Sequence, residues 1–474
     1  MHPIKFGTDG WRGLIAADFT FERLKLVAPV AALVLKEVYG SENGNNQVII
    51  GYDRRFLADK FARSAAEAVQ AVGFDVLLSQ SYAPTPAFSW AAYQKKALGA
   101  LVITASHNPG GYLGLKVKGA FGGSVGGEVT QLIEAKIGQE LGLATPGSWQ
   151  IFDPWESYCQ ALRSQVDMAQ IQQAIAQGKL QVFADVMHGA AATGLARLLG
   201  TEICEINSNP DPLFDGAAPE PLPRYLSQLC RLIRTQKLQH PDRLRVGLVF
   251  DGDSDRIAAV DGSGNFLSSQ ILIPILIEHL ALRRGMTGEV IKTLSASDLI
   301  PRLASLYNLP VYETPVGYKY IADRMLTTKV LIGGEESGGI GYGHHIPERD
   351  ALLSALYVLE AVTQSERDLS QLYENLQAKV NFISAYDRID LPLAGMEVRS
   401  RLLKLLETHP LTEIAGESVL SYQSIDGYKF RLADGSWLMI RFSGTEPVLR
   451  LYSEAPNLEL VQRNLTWAEK WANS

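Results

Sequence analysis

The most informative segment of the chain is Val246-Gly247-Leu248-Val249-Phe250-Asp251-Gly252-Asp253-Ser254-Asp255-Arg256. Its apolar first half, residues 246–250, predicts a strand. The strand passes directly into a loop that places three carboxylates within five residues. In open α/β sheets ligands bind beyond the carboxyl ends of the strands, so this loop lies where a binding site is expected.

Strand and helix patterns alternate on both sides of this stretch, in three similar rounds that suggest an internal repeat. The alternation implies a mostly parallel sheet covered by helices. The predicted strands are residues 48–51, 74–78, 100–104, 180–184, 202–206, 246–250, 290–293, 310–313 and 330–332. The predicted helices between them are residues 57–72, 86–96, 190–199, 222–232, 271–282, 299–306 and 318–326.

The last hundred residues follow a different pattern. Residues 428–432 and 437–442 alternate around Ala433-Asp434-Gly435-Ser436, which is typical of a β-hairpin. A strand at residues 448–453 and a terminal helix at residues 458–471 follow. This part predicts a smaller α+β domain. Turn-rich or polar stretches near residues 144–153, 260 and 364–377 mark the boundaries, so the predicted domains are residues 1–148, 149–259, 260–375 and 376–474.

Composition excludes several classes of protein. The chain has 474 residues, 46% of them apolar and 20% charged, which excludes a mostly disordered chain. Lys and Arg total 44 against 51 Asp and Glu, a net charge of −7, so we expect no nucleic-acid partner. The longest apolar run, residues 26–35, is too short to span a membrane. No signal peptide is expected, and three widely separated cysteines favour a reduced, cytoplasmic setting.

The acidic loop has the chemistry of a metal site. Three neighbouring carboxylates, Asp251, Asp253 and Asp255, repel one another when unpaired and together suit a hard divalent cation such as Mg²⁺. An EF-hand would need Gly at the sixth position and Glu at the twelfth, where this chain has Arg256 and Gly262. A solvated acidic turn is the alternative.

A second loop carries a candidate nucleophile. The strand at residues 100–104 leads into Ala105-Ser106-His107-Asn108-Pro109-Gly110, with Lys116 downstream. A serine hydroxyl needs a base or a metal to become a good nucleophile. A hydrolase elbow is excluded because Thr104 and Asn108 stand where that motif requires glycine. A purely structural turn remains the alternative.

Two further loops could bind a phosphorylated sugar. Glu335-Glu336-Ser337 follows the strand at residues 330–332 and offers acceptors for hydroxyl groups, although a solvated turn would have the same composition. Arg441-Phe442-Ser443-Gly444-Thr445-Glu446-Pro447 combines a guanidinium, hydroxyls and a glycine turn, which suits a phosphate, and a tight turn between strands is the alternative. No Walker motif and no G-x-G-x-x-G after a strand occurs, so nucleoside triphosphate and nicotinamide chemistry lose support.

These loops, together with Gly7-Thr8-Asp9-Gly10-Trp11-Arg12-Gly13, occur in an order and at spacings that resemble the α-D-phosphohexomutase superfamily along essentially the whole chain. The resemblance implies three related mixed α/β domains plus a smaller C-terminal α+β domain around a central cleft. It also implies a phosphoserine at Ser106 and one Mg²⁺ per chain. The implied site residues are Ser106, Asp251, Asp253 and Asp255 for the metal, Arg12, His107, Lys116 and Arg256 in the catalytic centre, Glu335 and Ser337 for sugar hydroxyls, and Arg441, Ser443, Gly444 and Thr445 for the non-transferring phosphate.

The expected activity is that of a phosphoglucomutase, which interconverts glucose 1-phosphate and glucose 6-phosphate through glucose 1,6-bisphosphate, also its expected activator. Glu336, Gly339 and the segment 314–319 resemble glucose-selective members. Lys116 is the expected general acid/base. A phosphomannomutase, a dual-specificity enzyme, a glucose-1,6-bisphosphate synthase and a catalytically inactive sugar-phosphate-binding regulator remain alternatives. The expected partner is a small sugar phosphate, and the expected assembly is a monomer or weak dimer.

Overall fold

The computed structural model describes residues 3–7, 9–40, 45–142, 144–443 and 447–473. Its strands are β1 (Trp11–Leu14), β2 (Gln47–Tyr52), β3 (Asp75–Ser79), β4 (Gly99–Ile103), β5 (Tyr112–Gly119), β6 (Trp149–Phe152), β7 (Leu180–Asp185), β8 (Cys204–Ile206), β9 (Leu244–Phe250), β10 (Ile257–Val260), β11 (Phe266–Leu267), β12 (Glu289–Thr293), β13 (Val311–Thr314), β14 (Val330–Gly334), β15 (Ile340–Gly341), β16 (Ala385–Pro392), β17 (Glu413–Ile414), β18 (Glu417–Gln423), β19 (Tyr428–Leu432), β20 (Trp437–Phe442) and β21 (Val448–Ala455).

The helices alternate with these strands through most of the chain. They are α1 (Phe21–Tyr39), α2 (Ala58–Ala71), α3 (Thr85–Gln94), α4 (Gly127–Lys136), α5 (Glu156–Arg163), α6 (Met168–Ala176), α7 (Gly194–Leu199), α8 (Ser227–Gln239), α9 (Ser269–Glu278), α10 (Leu299–Leu306), α11 (Tyr318–Thr327), α12 (Ala351–Ser365), α13 (Leu369–Lys379), α14 (Met396–Thr408) and α15 (Leu458–Asn473). Within the described residues, no helix combines the length and apolar character needed to cross a bilayer.

The chain divides into two compact units. The first comprises Met1–Glu289 and Gly317–Gln371, and the second comprises Val290–Val316 and Leu372–Ser474. This division does not test the four predicted domain boundaries, which stay a prediction.

The first sheet of the larger unit has the order β1-β5-β4-β2-β3-β6. Strands β4, β2, β3 and β6 run parallel, whereas β5 runs antiparallel to both β4 and β1. The apolar face of α1 packs into the same core as α2 and the sheet, and the Thr20 side chain caps α1 by accepting the Arg23 N–H. The loop that carries Ser106, residues 104–111 and called the serine loop below, is therefore the connection between the antiparallel neighbours β4 and β5.

The second sheet of this unit repeats that arrangement. Its order is β11-β10-β9-β7-β8, with β7, β8 and β9 parallel and β10 antiparallel to β9. The acidic loop joins β9 to β10, and Phe250 pairs directly with Ile257 across it. A loop this short can join only antiparallel strands. The predicted parallel pairing is confirmed for the central strands of both sheets. Strands β5 and β10 were not predicted, and they run antiparallel because each follows its neighbour after a short loop.

The larger unit also contains the strand pair β14 and β15 and the helix α12. Strands β14 and β15 pair antiparallel on either side of the turn that carries Glu335. Helix α12 is buried almost all round and packs against α6 and α9. Its first turn is capped by Asp350, whose carboxylate accepts the Leu353 N–H at 2.9 Å.

The smaller unit holds the C-terminal α+β domain. Its sheet has the order β16-β21-β20-β19-β18-β17 and every pairing is antiparallel. Helices α14 and α15 cover one core with it. The predicted hairpin has the predicted bounds, because Gly435 at φ +82° supplies the left-handed residue that its turn needs. The prediction of three mixed α/β parts followed by a smaller α+β part is confirmed.

Three predicted helices have shifted bounds. The helix predicted at residues 222–232 begins at Ser227, because Pro223 opens a separate short turn at Pro223–Tyr225. The helix predicted at residues 190–199 begins only at Gly194, after Thr193 adopts a left-handed conformation. The helix predicted at residues 271–282 is regular to Glu278 and widens into a π turn at His279–Arg283.

Candidate active site

The serine loop and the acidic loop meet. The Ser106 hydroxyl donates a hydrogen bond to Asp251 Oδ2 at 2.9 Å, and both side chains are buried. The two backbones come so close that a Cβ at Gly252 would lie 2.3 Å from the carbonyl oxygen of Ser106. Glycine is therefore required at this position by the approach of the two loops.

The three aspartates form one cluster. A carboxylate oxygen from each of Asp251, Asp253 and Asp255 lies within 4.8 Å of the others. Among the described residues, Asp253 Oδ1 and Asp255 Oδ1 are buried and have no hydrogen-bond partner. Buried carboxylate oxygens without a partner are costly unless a cation completes them. The residues present thus fit a Mg²⁺ ion, which binds oxygen ligands of this kind.

The acidic loop is shaped by its own first residue. Asp251 Oδ1 accepts the backbone N–H groups of Asp255 at 3.0 Å and Arg256 at 3.1 Å. These bonds curl the chain back so that the following carboxylates face the same point, and Ser254 takes the left-handed turn conformation at φ +58°. From outside the loop, the hydroxyl of Thr85, the first residue of α3, donates to Asp253 Oδ2.

Lys116 reaches this cluster from β5. Its register opposite Val102 in β4 places it beside the strand that ends in the serine loop. The ammonium lies 2.8 Å from Asp9, 2.8 Å from Asp253 and 2.7 Å from Asp255. Burial lowers the pKa of this lysine, but the three carboxylates raise it further, so the net pKa is above its ordinary value and the side chain stays charged.

Two further charged residues of this cluster, Arg349 and Asp9, were not predicted as site residues. Arg349 Nη2 contacts Asp255 Oδ2 at 2.8 Å and also bonds to Asp9. Asp9 thus links Lys116 to Arg349. Asp9 belongs to the quoted N-terminal motif, and the run Glu348-Arg349-Asp350 just before an apolar helix was the available signal for the arginine.

Burial and the neighbouring charges shift the pKa values of the aspartates. Burial, followed by the charges of Asp255 and Asp253, raises the pKa of Asp251 well above its ordinary range. Burial also raises the pKa of Asp253, but the charge and hydrogen bond of Lys116 outweigh it, so its net pKa is lowered. The pKa values of these two carboxyls are therefore shifted in opposite directions, and the ion pair of Asp253 with Lys116 accounts for the difference.

The other predicted catalytic residues lie around the serine. His107 Nδ1 is 3.2 Å from Ser106 Oγ. Burial, then the charges of Arg256 and Arg12, lowers the pKa of His107 well below its usual range. Arg12 donates to the Asn108 side chain at 2.6 Å. The structure brings these residues together with the aspartates.

The predicted sugar-binding turn borders the same cluster. The Glu335 side chain is buried and lies 3.8 Å from Arg349, and its backbone N–H bonds to the Gly339 carbonyl at 2.9 Å. Ser337 is half-buried in the same turn. The backbone of Gly339 pairs with Arg256, which ties the turn to the acidic loop.

Replacing Glu335 by glutamine is expected to stabilise the protein most at alkaline pH. Burial raises the pKa of Glu335 from 4.5 in the unfolded chain to about 7 in the folded protein. The folded protein therefore loses stability as the pH rises from 4.5 through 7, because the buried carboxyl must give up its proton. A neutral glutamine avoids this loss, worth up to ~3 kcal/mol at pH 8 and less at pH 5.5. Melting curves of Glu335→Gln and of the neighbouring Glu336→Gln at both pH values measure it. An equal gain at both pH values would contradict the expectation.

The predicted phosphate loop belongs to the smaller unit. Arg441 Nε donates to Asp426 Oδ2 at 2.9 Å, and the Ser443 carbonyl accepts a bond from Arg399 Nε at 2.8 Å. Gly444 and Thr445 lie outside the described residues. Arg441 thus lies near the end of β20, and Ser443 directly follows that strand.

Four family models match the chain in order. They are the phosphoglucomutase/phosphomannomutase α/β/α domain I at residues 3–142, domain II at residues 156–264, domain III at residues 268–380 and the C-terminal domain at residues 397–465. A solved structure from Thermus thermophilus, assigned as a phosphomannomutase, has a TM-score of 0.86 and 33% identity and covers 100% of both chains. The chain belongs to the α-D-phosphohexomutase superfamily, as the motifs indicated.

The names of similar proteins agree on a mutase activity but differ in the sugar. A phosphoglucosamine/phosphogalactosamine mutase of Sulfurisphaera tokodaii is 29% identical, with 97% of each chain covered. A phosphoglucomutase/phosphomannomutase of Thermococcus kodakarensis is 28% identical, with 97% of this chain and 96% of the relative covered. The protein is a phosphohexomutase, an isomerase that moves a phosphoryl group within a hexose phosphate. An Aspergillus fumigatus N-acetylphosphoglucosamine mutase with the same fold (TM-score 0.56, 14% identity, 100% and 96% covered) was solved with GlcNAc-6P and magnesium.

Proposed function

We propose that this phosphohexomutase is a phosphoglucomutase that carries its phosphoryl group on Ser106. The observation that supports the proposal most directly is the 2.9 Å hydrogen bond from Ser106 Oγ to Asp251 within a buried cluster of three aspartates. A serine hydroxyl held against a cation site can accept a phosphoryl group, and the resulting phosphoserine can donate it. A sugar-binding regulator would need no such arrangement.

The reaction consists of two transfers that balance each other. Phosphoserine 106 passes its phosphoryl group to O6 of glucose 1-phosphate: the Oγ–P bond breaks, the O6–P bond forms, and the proton lost by O6 is taken up by Ser106 Oγ. The resulting glucose 1,6-bisphosphate turns over in the site. Its C1 phosphoryl group then moves to Ser106: the O1–P bond breaks, the Oγ–P bond forms, the proton of the Ser106 hydroxyl passes to O1, and glucose 6-phosphate leaves. Such transfers depend mainly on in-line positioning and on charge neutralisation.

The chain's own residues divide these tasks. Lys116 is proposed as the general acid/base at the sugar hydroxyl, and its ammonium lies within 2.8 Å of three carboxylates. Neutral His107, 3.2 Å from Ser106 Oγ, is placed to exchange a proton with it. Arg12 and Arg256 would face the transferring phosphate. Asp251, Asp253, Asp255 and an oxygen on Ser106 would hold Mg²⁺, which when bound neutralises charge on the transferring group.

Two anion sites suit an intermediate with two phosphates. Arg441, Ser443, Gly444 and Thr445 are proposed to bind the phosphate that is not being transferred, while Glu335 and Ser337 would accept bonds from sugar hydroxyls.

Glucose 1,6-bisphosphate is proposed as the activator that restores a lost phosphoserine. We also propose a cytoplasmic location, a monomer or weak dimer, and domains at residues 1–148, 149–259, 260–375 and 376–474.

The preference for glucose rests on the turn at Glu335. Members selective for mannose or glucosamine tend to carry His at the position of Gly339. Here a Cβ at Gly339 would lie 2.4 Å from Cδ of Arg349 and 3.1 Å from the Glu335 carboxylate. Arg349 thus occupies the space that a side chain at position 339 would need, which favours the glucose-type turn. The names of the relatives keep mannose and glucosamine as the competing sugars.

A coupled assay tests the choice of sugar. We expect kcat/KM for glucose 1-phosphate to exceed the values for mannose 1-phosphate and glucosamine 1-phosphate by at least about tenfold, a difference of ~1.4 kcal/mol. A tenfold advantage for either competitor would reject glucose while leaving the mutase mechanism intact. Release of stoichiometric glucose 1,6-bisphosphate, without conversion to glucose 6-phosphate, would instead identify a bisphosphate synthase.

A further inference from the structure

Arg55 is a buried arginine to which the reaction above gives no role. Its Nη1 donates to the backbone carbonyls of Pro109 and Tyr112, both at 3.0 Å. Its Nη2 donates to the carbonyls of Ser106 at 2.6 Å and Asn108 at 2.5 Å. All four acceptors lie between the end of β4 and the first residue of β5. One guanidinium thus donates hydrogen bonds to four backbone carbonyls in and next to the serine loop.

Asp53 is connected to Ser106 by hydrogen bonds through Arg55 and Thr104. Asp53 Oδ1 accepts the Arg55 backbone N–H at 3.0 Å, and Oδ2 lies 3.4 Å from Arg55 Nε. The same Oδ2 accepts the Thr104 hydroxyl at 2.6 Å, and Thr104 Oγ1 accepts the Ser106 N–H at 2.9 Å. Both backbone polar groups of Ser106 are therefore linked to Asp53 through one intervening side chain.

The strand that precedes Asp53 and Arg55 lies inside the first sheet. Asp53 and Arg55 directly follow β2, which pairs in parallel with β4, the strand that leads to Ser106. The ring of Phe214 lies 4.8 Å from the Arg55 guanidinium and covers it. Water is thus kept from the four carbonyl bonds, which strengthens each of them.

Ser106 needs such support because its backbone is strained. Its φ is +53°, in the left-handed region that side-chain-bearing residues rarely adopt. Strained conformations persist only where the surrounding structure over-determines them. In this conformation the hydroxyl bonds to Asp251 and lies beside His107. If the loop relaxed, Oγ would leave that position.

We propose that Arg55, held by Asp53, is a positioning residue that keeps the Ser106 loop in its left-handed turn and so aims the Ser106 hydroxyl at the aspartate cluster. The inference deepens the proposed function and rests on it, since Ser106 is taken as the phosphate carrier. Lysine cannot replace this arginine, because a single ammonium cannot reach four carbonyls arranged around a planar fork.

The neighbouring arginine provides a matched control. Arg54 donates to the Ser208 carbonyl at 2.8 Å and lies over the Tyr82 ring, both of which are outside the serine loop. Arg55→Lys and Arg54→Lys are therefore compared in the full-length enzyme. Three quantities are measured: kcat and KM for glucose 1-phosphate, the rate at which dephosphorylated enzyme gains phosphate from glucose 1,6-bisphosphate by intact mass, and hydrogen exchange in peptides covering residues 104–113.

We expect Arg55→Lys to lose about 10- to 100-fold in kcat, the size of effect that a small misplacement of a reacting group causes. KM should stay within about twofold, because the sugar contacts are elsewhere. Phosphate uptake should slow with kcat, and hydrogen exchange should rise in residues 104–113. Arg54→Lys should behave as the parent in all three. Methylguanidinium added to Arg55→Ala should restore at least about threefold in kcat and should have no effect on Arg54→Ala.

Several results would overturn the proposal. Parental kcat and phosphate uptake in Arg55→Lys, a rise in KM without loss of kcat, or an equal loss in Arg54→Lys each contradict it. If Arg55→Ala does not fold, Arg55→Lys and Thr104→Val decide, and unchanged kcat in both rejects the role. If the parent gains no phosphate at Ser106, the proposed function fails, while unaltered loop exchange in Arg55→Lys would separately reject the positioning role.

Discussion

Replacing Ser106 by alanine is expected to lower kcat by at least about a thousandfold and to remove the covalent phosphate. The hydroxyl is the atom of that side chain that contacts Asp251 and His107, and loss of a covalent nucleophile leaves only binding and electrostatic stabilisation. The fold should survive, because the backbone bonds of residue 106 to Thr104 and Arg55 do not use the hydroxyl. Intact mass, phosphopeptide mapping and the coupled assay measure the effect.

Ser263→Ala is the matched control for this substitution. Ser263 lies in the turn after β10, where its hydroxyl accepts a bond from Lys237 at 2.7 Å, and we expect parental turnover and phosphate content. A Ser106→Ala protein with turnover within about tenfold of the parent, or a parental phosphate that maps to another residue, would reject the mechanism while leaving the membership of the superfamily unaffected.

Replacing Asp253 by asparagine is expected to weaken Mg²⁺ binding by about 100-fold or more and to lower kcat by about 100- to 1000-fold. The substitution removes one negative charge from the cluster and offers an amide where a carboxylate oxygen now has no partner. It also takes an ion-pair partner from Lys116. Calorimetric titration of the chelator-treated protein with Mg²⁺, followed by assays at several Mg²⁺ concentrations, measures both effects.

Asp242→Asn serves as the control here, since Asp242 is exposed in the turn before β9. It should bind Mg²⁺ and turn over as the parent does. In the parent, chelation should abolish activity and Mg²⁺ should restore it. Unchanged Mg²⁺ affinity in Asp253→Asn would show that the three aspartates do not hold the ion.

The sequence was sufficient for features that depend on neighbouring residues. Apolar runs bounded by turn residues located β2, β4, β9 and the hairpin of β19 and β20, because strand and turn preferences act over a few residues. The position of loops at strand ends then predicted where chemistry-bearing residues gather. Motif order identified the superfamily, and the family models confirm it.

Short connections limited what local patterns could predict. Strands β5 and β10 were not predicted, because each returns directly after a functional loop whose glycine, proline and charged residues interrupt the apolar pattern. Lys116 was named without its neighbours for this reason. Its position beside β4 follows from the pairing of β5, which local preferences do not encode.

Local patterns in the sequence were enough to establish the class of fold, the loops and the residue types that each loop presents. The contacts that these residues make with one another depend on tertiary packing. Asp9 and Arg349 are 340 positions apart in the chain yet form one ion pair. Arg55 donates a hydrogen bond to the Ser106 carbonyl, 51 positions away. The physical reason is that a buried charge takes whatever opposite charge or carbonyl the packed strands bring within about 3 Å, and this depends on strand order and register rather than on distance along the chain.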